Sequence, residues 1–90
     1  MKNGGKFYLY IACCKDGSLY TGITNDLVKR EKQHNEGIGS KYTASRRPIK
    51  LVYNEIYPTR SAASKREAQI KGWVRTKKEK LIKGTLFKND

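Results

Sequence analysis

Alternating apolar positions near the start of the chain predict two β-strands that form a hairpin. Residues Phe7 to Cys13 place large side chains on alternate sides of an extended chain, which is the period of two expected of a strand. Residues Leu19 to Thr24 repeat the pattern, and the Lys-Asp-Gly-Ser segment at 15–18 carries the Asp-Gly signal of a tight turn. Such a hairpin would place Tyr10 and Tyr20 on the same face.

Apolar spacings of three and four residues predict helices after the hairpin. Asn25 or Asp26 can cap a helix that begins at Leu27, since short polar side chains accept hydrogen bonds from the first helical N–H groups. A longer helix is predicted from residues 58–61 to about Arg75. Its apolar stripe is Ala63, Ile70 and Val74, with Ala62 and Trp73 beside it.

A third strand, a basic loop and a last helix complete the predicted fold. Residues 49–57 are rich in β-branched and aromatic side chains, which favour a strand, whereas the glycines in residues 36–48 favour a loop. The pattern from Thr76 to Glu79 predicts a capping box that opens a short helix, which Gly84 ends. We therefore expect an α/β (α+β) sandwich with a three-stranded antiparallel sheet flanked by helices. It would be one domain over residues 1–90, with its core at about 7–84.

Ionisable residues fall on helix faces that the apolar pattern marks as buried. Leu27, Arg30 and His34 lie on one side of the first helix at 3.6 residues per turn. Glu67 falls within the apolar stripe of the longer helix. A carboxylate that points inward is costly unless it is paired or binds a metal. These placements are typical of a functional site, although each one alone is also common in ordinary packing.

The charge of the chain indicates a polyanionic partner. Twenty Lys and Arg residues against eight Asp and Glu residues give a formal net charge of +12 and a pI near 9.9. Self-repulsion of this size disfavours the compact state. Nucleic acid is the leading interpretation, because each phosphate contact releases counterions and so strengthens binding.

Other compartments and partners are less consistent with the sequence. No apolar run approaches the roughly 20 residues of a membrane-spanning helix, and the N-terminus lacks the apolar stretch of a signal peptide. Cys13 and Cys14 are adjacent in sequence, so they are poorly placed to bridge each other. A single histidine makes a zinc site of Cys and His ligands improbable. We expect a cytoplasmic protein with reduced thiols and no membrane contact.

The order of these residues resembles a GIY-YIG nuclease domain over about Phe7 to Gly84. Tyr8-Leu9-Tyr10 aligns with the first motif and keeps its last tyrosine, while Tyr20-Thr21-Gly22 keeps the tyrosine and glycine of the second. Glycine is a poor strand residue, and at position 22 it permits close approach of backbone or of a ligand. The family's arginine, its His or Tyr position and its metal-binding glutamate align with Arg30, His34 and Glu67.

A basic segment extends the resemblance to the short, free-standing bacterial branch of that family. Its members share a Lys-Tyr-Thr…Arg-Arg-Pro segment, which is similar to Lys41-Tyr42-Thr43 and Arg46-Arg47-Pro48. Beside the site, Lys41, Arg46 and Arg47 would contact phosphates without reading sequence. Tyr42 could stack on a splayed base. A solvated loop is the alternative interpretation.

The resemblance implies hydrolysis of a phosphodiester with one divalent cation, Mg²⁺ or another such as Mn²⁺. Glu67 would hold the ion, which prefers oxygen ligands and keeps several waters. Tyr20 would be the general base; a tyrosine ordinarily ionises near pH 10, so it needs a positive charge nearby, which Arg30 can supply. Tyr10 would hydrogen-bond the phosphate or the water, and His34 would relay the proton or orient Tyr20. The implied products carry a 5′-phosphate and a 3′-hydroxyl.

Departures from the family pattern leave a second function open. Many members carry an asparagine about twelve residues after the metal glutamate, where this chain has Glu79; Asn89 lies much nearer the C-terminus. We therefore weigh a metal-dependent DNA endonuclease against a non-catalytic nucleic-acid-binding module that keeps the fold and charge. Charge alone would also fit a basic component of an RNA or repair assembly. A lone domain predicts recognition of nucleic-acid shape, or a protein partner that delivers the substrate.

Overall fold

Three antiparallel strands and four helices make up the computed structural model, which describes residues 5–84. The strand order in the sheet is β2-β1-β3, so β1 is central and the other two strands are edges. The predicted antiparallel sheet flanked by helices is confirmed. The elements in chain order are β1 (Phe7–Cys14), β2 (Leu19–Thr24), α1 (Leu27–Asn35), α2 (Lys41–Ala44), β3 (Ile49–Tyr57), α3 (Arg60–Lys71) and α4 (Arg75–Lys83).

The register of the hairpin puts the two motif tyrosines on one face. Tyr10 pairs with Gly22 and Ala12 pairs with Tyr20, so the tyrosines are diagonal neighbours on adjacent strands. Gly17 has φ +85°, which permits the tight turn, and the Asp16 carboxylate accepts hydrogen bonds from the Ser18 N–H and hydroxyl. The prediction that Tyr10 and Tyr20 share a face is confirmed.

Both faces of β1 are buried, because helices cover the sheet on each side. Leu9 and Ile11 pack with Ile70 of α3 and Leu81 of α4. On the opposite face, the buried residues are Tyr10, Ala12, Cys14 and Ile49, with Leu27 of α1 packed against them. Each large apolar side chain buried in this way contributes about 1.5–3 kcal/mol. The central strand thereby fixes α1 and α3 relative to each other.

The starts of α1 and α3 and the end of α4 lie where the sequence predicts them. The Asp26 carboxylate accepts a hydrogen bond from the Lys29 N–H and caps α1. The Thr59 hydroxyl accepts one from the Ala62 N–H and caps α3. Gly84 adopts φ +76° and ends α4, as predicted.

The predicted loop over residues 36–48 is wrong in part, because it contains the one-turn helix α2. Ser40 caps this helix, since its hydroxyl accepts a hydrogen bond from the Thr43 N–H. Thr43 is fully buried. Four helical residues are too few to show a helical period, so the apolar pattern did not reveal them.

The predicted boundary between the last two helices is also wrong. Helix α3 ends at Lys71 rather than about Arg75, and Val74 is 68% exposed instead of lying in the buried stripe. Helix α4 begins at Arg75 after Val74 as N-cap, without a side-chain cap, so Thr76 is helical and forms no capping box. Trp73, in the connection, packs against the core as expected. Within residues 5–84, none of the helices is long and apolar enough to cross a membrane.

Candidate active site

A polar pocket of about 310 Å³ lies along the edge strand β2 and collects most of the predicted site residues. Tyr10, Tyr20, Arg30 and Glu67 all line it, so strands β1 and β2 and helices α1 and α3 contribute to one cavity. His34 is not part of the lining and lies behind Tyr10, with no exposed surface. The complete lining is Tyr10, Tyr20, Gly22, Ile23, Thr24, Asn25, Arg30, Gly39, Arg60 and Glu67.

Close packing over a glycine positions the Tyr10 hydroxyl. A Cβ atom added to Gly22 would stand 2.7 Å from the Tyr10 hydroxyl oxygen, so only glycine leaves room for the ring. The group that approaches Gly22 is the Tyr10 side chain, rather than the backbone or ligand that the sequence predicts there. Burial raises the pKa of the Tyr10 phenol well above its usual value, with a further rise from the nearby Tyr20, while Arg30 lowers this pKa and Glu67 raises it slightly. Tyr10 is therefore a protonated phenol at neutral pH.

His34 connects Tyr10 to helix α2 through a buried chain of hydrogen bonds. His34 Nε2 lies 2.7 Å from the Tyr10 hydroxyl, and His34 Nδ1 lies 2.8 Å from Thr43 Oγ1. The Thr43 hydroxyl in turn contacts the Ser40 hydroxyl at 2.9 Å and donates to the Ser40 carbonyl at 3.3 Å. Gly39 is needed here, since a Cβ atom at this position would clash with the His34 ring.

One assignment of the protons satisfies every contact in this chain. Burial, together with the positive charge of Arg30, lowers the pKa of His34, so the ring is neutral at neutral pH. We assign Tyr10 O–H as the donor to His34 Nε2, His34 Nδ1–H as the donor to Thr43, and Thr43 as the donor to the Ser40 carbonyl. The Tyr10 oxygen then keeps lone pairs that can accept a hydrogen bond from a group in the pocket.

Three rings surround Tyr20 and fix its orientation. Its centroid lies 6.4 Å from that of Tyr10, 5.4 Å from that of His34 in an edge-on contact, and 6.0 Å from that of Tyr42 in a stacked contact. Aromatic pairs at such distances each contribute about 0.5–1.5 kcal/mol beyond their burial. His34 thus contacts Tyr20 through its ring edge, while both of its nitrogens bond elsewhere.

Arg30 presents a buried donor with no partner among residues 5–84. Its Nε atom is inaccessible to solvent and makes no hydrogen bond there. A buried donor left without a partner costs about 1–3 kcal/mol, so such donors usually serve a ligand or a structural water. Because Arg30 lines the pocket, an anionic ligand in the pocket could satisfy its guanidinium.

Glu67 is the pocket's carboxylate, and it is half-buried as its place in the apolar stripe predicted. Its Oε2 atom lies 3.1 Å from Lys71 Nζ, one helical turn further along α3. Within residues 5–84, no group of three His, Cys, Asp or Glu side chains could enclose a metal. Mg²⁺ ordinarily binds through one or two carboxylates and keeps its remaining waters, so a single glutamate in a polar pocket fits that ion.

The predicted nucleic-acid-binding residues lie outside the pocket lining, and two of them hold the loop together. Arg46 forms an ion pair with Asp16 at 3.2 Å, and its guanidinium lies 3.9 Å from the ring centroid of Tyr42. Arg47 donates to the Ala44 carbonyl at 2.8 Å. Lys41 and Tyr42 are exposed. Phosphate contacts by these four residues stay a prediction.

Sequence reasoning missed several residues that shape this site. Ser40 and Thr43 complete the His34 chain, and Arg60 lines the pocket as a second arginine. Thr43 lies in the Lys-Tyr-Thr segment of the resemblance, so that segment was the available signal. Glu79, at the family's asparagine position, lies on α4 and bonds Arg75 at 2.8 Å instead of lining the pocket. Asn89 lies outside the described residues.

The fold and the pocket together are those of a GIY-YIG domain. The family model described as the GIY-YIG catalytic domain matches residues 6–80, and this chain belongs to that family. Membership indicates a nuclease-type activity.

Close relatives and solved structures place the chain among short proteins of this family. A UPF0213 protein of Staphylococcus saprophyticus is 57% identical over 77 residues, which is 86% of this chain and 94% of that protein. A UPF0213 protein of Bacillus halodurans, solved by NMR, is 44% identical with a TM-score of 0.56, and the match covers 87% of this chain and 83% of that one. A protein of E. faecalis, also solved by NMR, is 42% identical with a TM-score of 0.63, covering 93% and 90%.

Proposed function

We propose that this protein is a divalent-metal-dependent endonuclease that hydrolyses phosphodiester bonds in DNA. The observation that carries the proposal is the joint presence of Tyr20, Arg30 and Glu67 in one polar pocket. A base, a cation and a metal-binding carboxylate are the groups that hydrolysis of a phosphodiester needs. A buried donor without a partner, such as Arg30 Nε within residues 5–84, is uncommon in ordinary packing and supports a ligand in the pocket.

Tyr20 and Tyr10 act on the water that attacks phosphorus. Tyr20 takes a proton from this water as general base, and the Arg30 guanidinium in the same pocket balances the negative charge of the phenolate. Tyr10 stays a phenol that donates to His34, so its oxygen accepts the water's other hydrogen and orients the attack. His34 therefore serves as a positioning residue, since both of its nitrogens are bonded within the protein.

Arg30 and Glu67 act on the phosphate. As the bond from the water oxygen to phosphorus forms, the bond to the 3′ oxygen breaks. The released 3′ oxygen takes a proton from solvent, which leaves a 5′-phosphate and a 3′-hydroxyl. Arg30 stabilises the charge that builds on the phosphate oxygens, and it gains the partner that its Nε lacks. Glu67 would hold Mg²⁺ or Mn²⁺, which supplies charge neutralisation at the phosphate and the leaving oxygen.

A second candidate is a nucleic-acid-binding module without catalysis, and two contacts favour it. Lys71 already pairs with the Glu67 carboxylate, and Glu79 occupies the position of the family's asparagine but lies outside the pocket. Such a module would bind DNA through the same basic surface, in keeping with the net charge of +12. The two candidates differ in their need for metal and for Tyr20.

The free thiols and the positive charge support proposals about the compartment of this activity and the source of its specificity. Cys13 and Cys14 are free, which suits the reducing cytoplasm. The basic surface supplies affinity for phosphates without base readout, so recognition of DNA shape, or a protein partner that delivers the substrate, would set specificity.

The test is cleavage of labelled single-stranded, duplex, flap and branched DNA, and of RNA, with and without Mg²⁺ or Mn²⁺. Wild type is compared with Tyr20→Phe, which removes the hydroxyl and keeps the ring contacts. We expect metal-dependent cleavage by wild type, product ends with a 5′-phosphate, and a loss of at least a hundredfold in Tyr20→Phe. Tight binding by both proteins with no cleavage by either would establish the binding module instead.

A further inference from the structure

The pocket contains a second arginine, Arg60, for which the mechanism above has no role. Arg60 is the first residue of α3, and it lines the same pocket as Arg30 and Glu67. Its guanidinium lies 5.4 Å from the ring centroid of Phe7, a cation–π contact. Such a contact uses the face of the ring and none of the five N–H donors of the guanidinium, so they can serve an anion.

Arg60 lies at the end of the pocket that is remote from Tyr20. The lining follows β2 from Tyr20 to Thr24 and continues to Asn25, which is about 17 Å at roughly 3.4 Å per residue. Phe7, on which Arg60 packs, begins β1 and therefore lies at the open end of the hairpin, away from the turn. The pocket is thus an elongated groove, with the general base at one end and an arginine at the other.

Helix geometry gives the separation between Arg60 and the metal-binding carboxylate. Glu67 is seven positions after Arg60 on α3, so the two face the same side of the helix, with their backbones about 10.5 Å apart along its axis. Successive phosphates of one strand advance about 3.4 Å along a duplex axis and also turn about it, so they lie farther apart than this rise, and the distance spans at most about three nucleotide steps. The Phe7 contact holds the Arg60 guanidinium at the open end of the hairpin, so a phosphate bound there would be a different one from the phosphate that Arg30 and Glu67 hold.

We propose that Arg60 binds a second backbone phosphate, up to three nucleotides from the cleaved bond, so that the groove selects a nucleic-acid strand over a diester with one phosphate. This inference rests on the proposed function for the position of the cleaved bond. Arg60 then sets the register of the strand along β2, while Arg30 and Glu67 act on the phosphate that reacts. The contact positions the substrate and carries no base readout.

A scan of neutral linkages with matched variants tests the contact. Oligonucleotides of one sequence each carry a single uncharged methylphosphonate linkage at a different position. They are tested with wild type, with Arg60→Gln, and with Lys65→Gln, which removes one exposed positive charge from the same helix as a control. The measurements are kcat/KM with Mg²⁺ and the dissociation constant by fluorescence anisotropy without metal.

In wild type, one neutral linkage within three positions of the cleaved bond should lower kcat/KM about tenfold, the magnitude of one hydrogen-bonded charge contact. Arg60→Gln should lose the same tenfold on the unmodified strand, and that linkage should then have no further effect. Lys65→Gln should retain the full effect of the linkage. The proposal would be overturned if the neutral linkage lowered kcat/KM of Arg60→Gln by a further tenfold. It would also be overturned if no neutral linkage lowered kcat/KM of wild type.

The dissociation constants measured without metal distinguish a failure of this inference from a failure of the proposed function. If wild type cleaves no substrate, the proposed function fails, and the dissociation constants decide the phosphate contact alone. A neutral linkage that weakens binding of wild type and of Lys65→Gln, but not of Arg60→Gln, supports the contact. Equal weakening in all three proteins refutes it.

Discussion

Removal of the Thr43 hydroxyl tests whether the buried chain from Tyr10 to Ser40 stabilises the site. Thr43→Val keeps the size and branching of the side chain and deletes the hydroxyl that lies 2.8 Å from His34 Nδ1. Thr43 and His34 are both fully buried, so water cannot replace the lost partner. The perturbation therefore leaves one N–H of His34 without an acceptor.

The expected cost is about 1–3 kcal/mol in the free energy of unfolding, the penalty for one unsatisfied buried donor. A chain of this length has a total stability of roughly 5–13 kcal/mol, at 0.05–0.15 kcal/mol per residue. The variant should therefore fold and yet show a clear shift. In a His34→Leu background there is no His34 N–H to satisfy. The cost of Thr43→Val in the free energy of unfolding should therefore be at least about 1 kcal/mol smaller there than in wild type.

Urea unfolding of the four proteins in this double-mutant cycle measures the coupling, with the fluorescence of Trp73, the single tryptophan, as the signal. We expect a coupling free energy between Thr43 and His34 of about 1–2 kcal/mol. Coupling below about 0.3 kcal/mol would refute the hydrogen-bond chain, because the cost of Thr43→Val would then be independent of the histidine.

Two further predictions concern the packing and the ionisation of the site. Gly22→Ala should destabilise the protein by about 1–3 kcal/mol in urea unfolding, because the new Cβ would clash with the Tyr10 hydroxyl. Gly72→Ala is the control and should change stability little, because the nearest contact of its new Cβ is an ordinary 3.5 Å. Equal effects of the two substitutions would contradict the close packing at Gly22. The pKa of His34 is lower in the folded protein than its usual 6.5, so the unfolded chain takes up the proton more readily. The neutral His34 side chain therefore contributes fully to stability above pH 6.5, and this contribution is lost as the pH falls through the folded pKa. His34→Gln should abolish this slope below pH 6.5. An unchanged slope would contradict the assignment, because the chain has one histidine.

The strands were predictable because burial on alternate faces leaves a period of two in the sequence. β2 and β3 have the predicted bounds, and β1 extends one residue further, to Cys14. The end of α3 was not predictable in the same way, because Ile70 and Val74 keep a spacing of four across Gly72 although the helix stops at Lys71. Val74 is exposed, so its spacing from Ile70 does not reflect burial, and in the connection it is Trp73 that packs on the core.

The site was predictable where its residues belong to motifs and not where they act through tertiary contacts. Tyr10, Tyr20, Arg30 and Glu67 converge on one pocket, in agreement with the resemblance. The hydrogen bond from Thr43 to His34 joins residues nine positions apart through the unforeseen helix α2, so no pattern in the sequence indicated it. Arg60 has no distinguishing signal in the sequence, because basic residues are common at helix starts; only the fold shows that it lines the pocket with residues of β2.

The measurement that tests the central claim most directly is a Mg²⁺ titration of DNA cleavage by wild type, Glu67→Gln and Glu36→Gln. Glu36→Gln makes the same charge change at an exposed position at the end of α1, so it controls for the loss of one negative charge. Our account predicts saturable, metal-dependent cleavage by wild type and Glu36→Gln, and no cleavage by Glu67→Gln although it still binds DNA. Cleavage by purified Glu67→Gln at the wild-type rate would contradict the account.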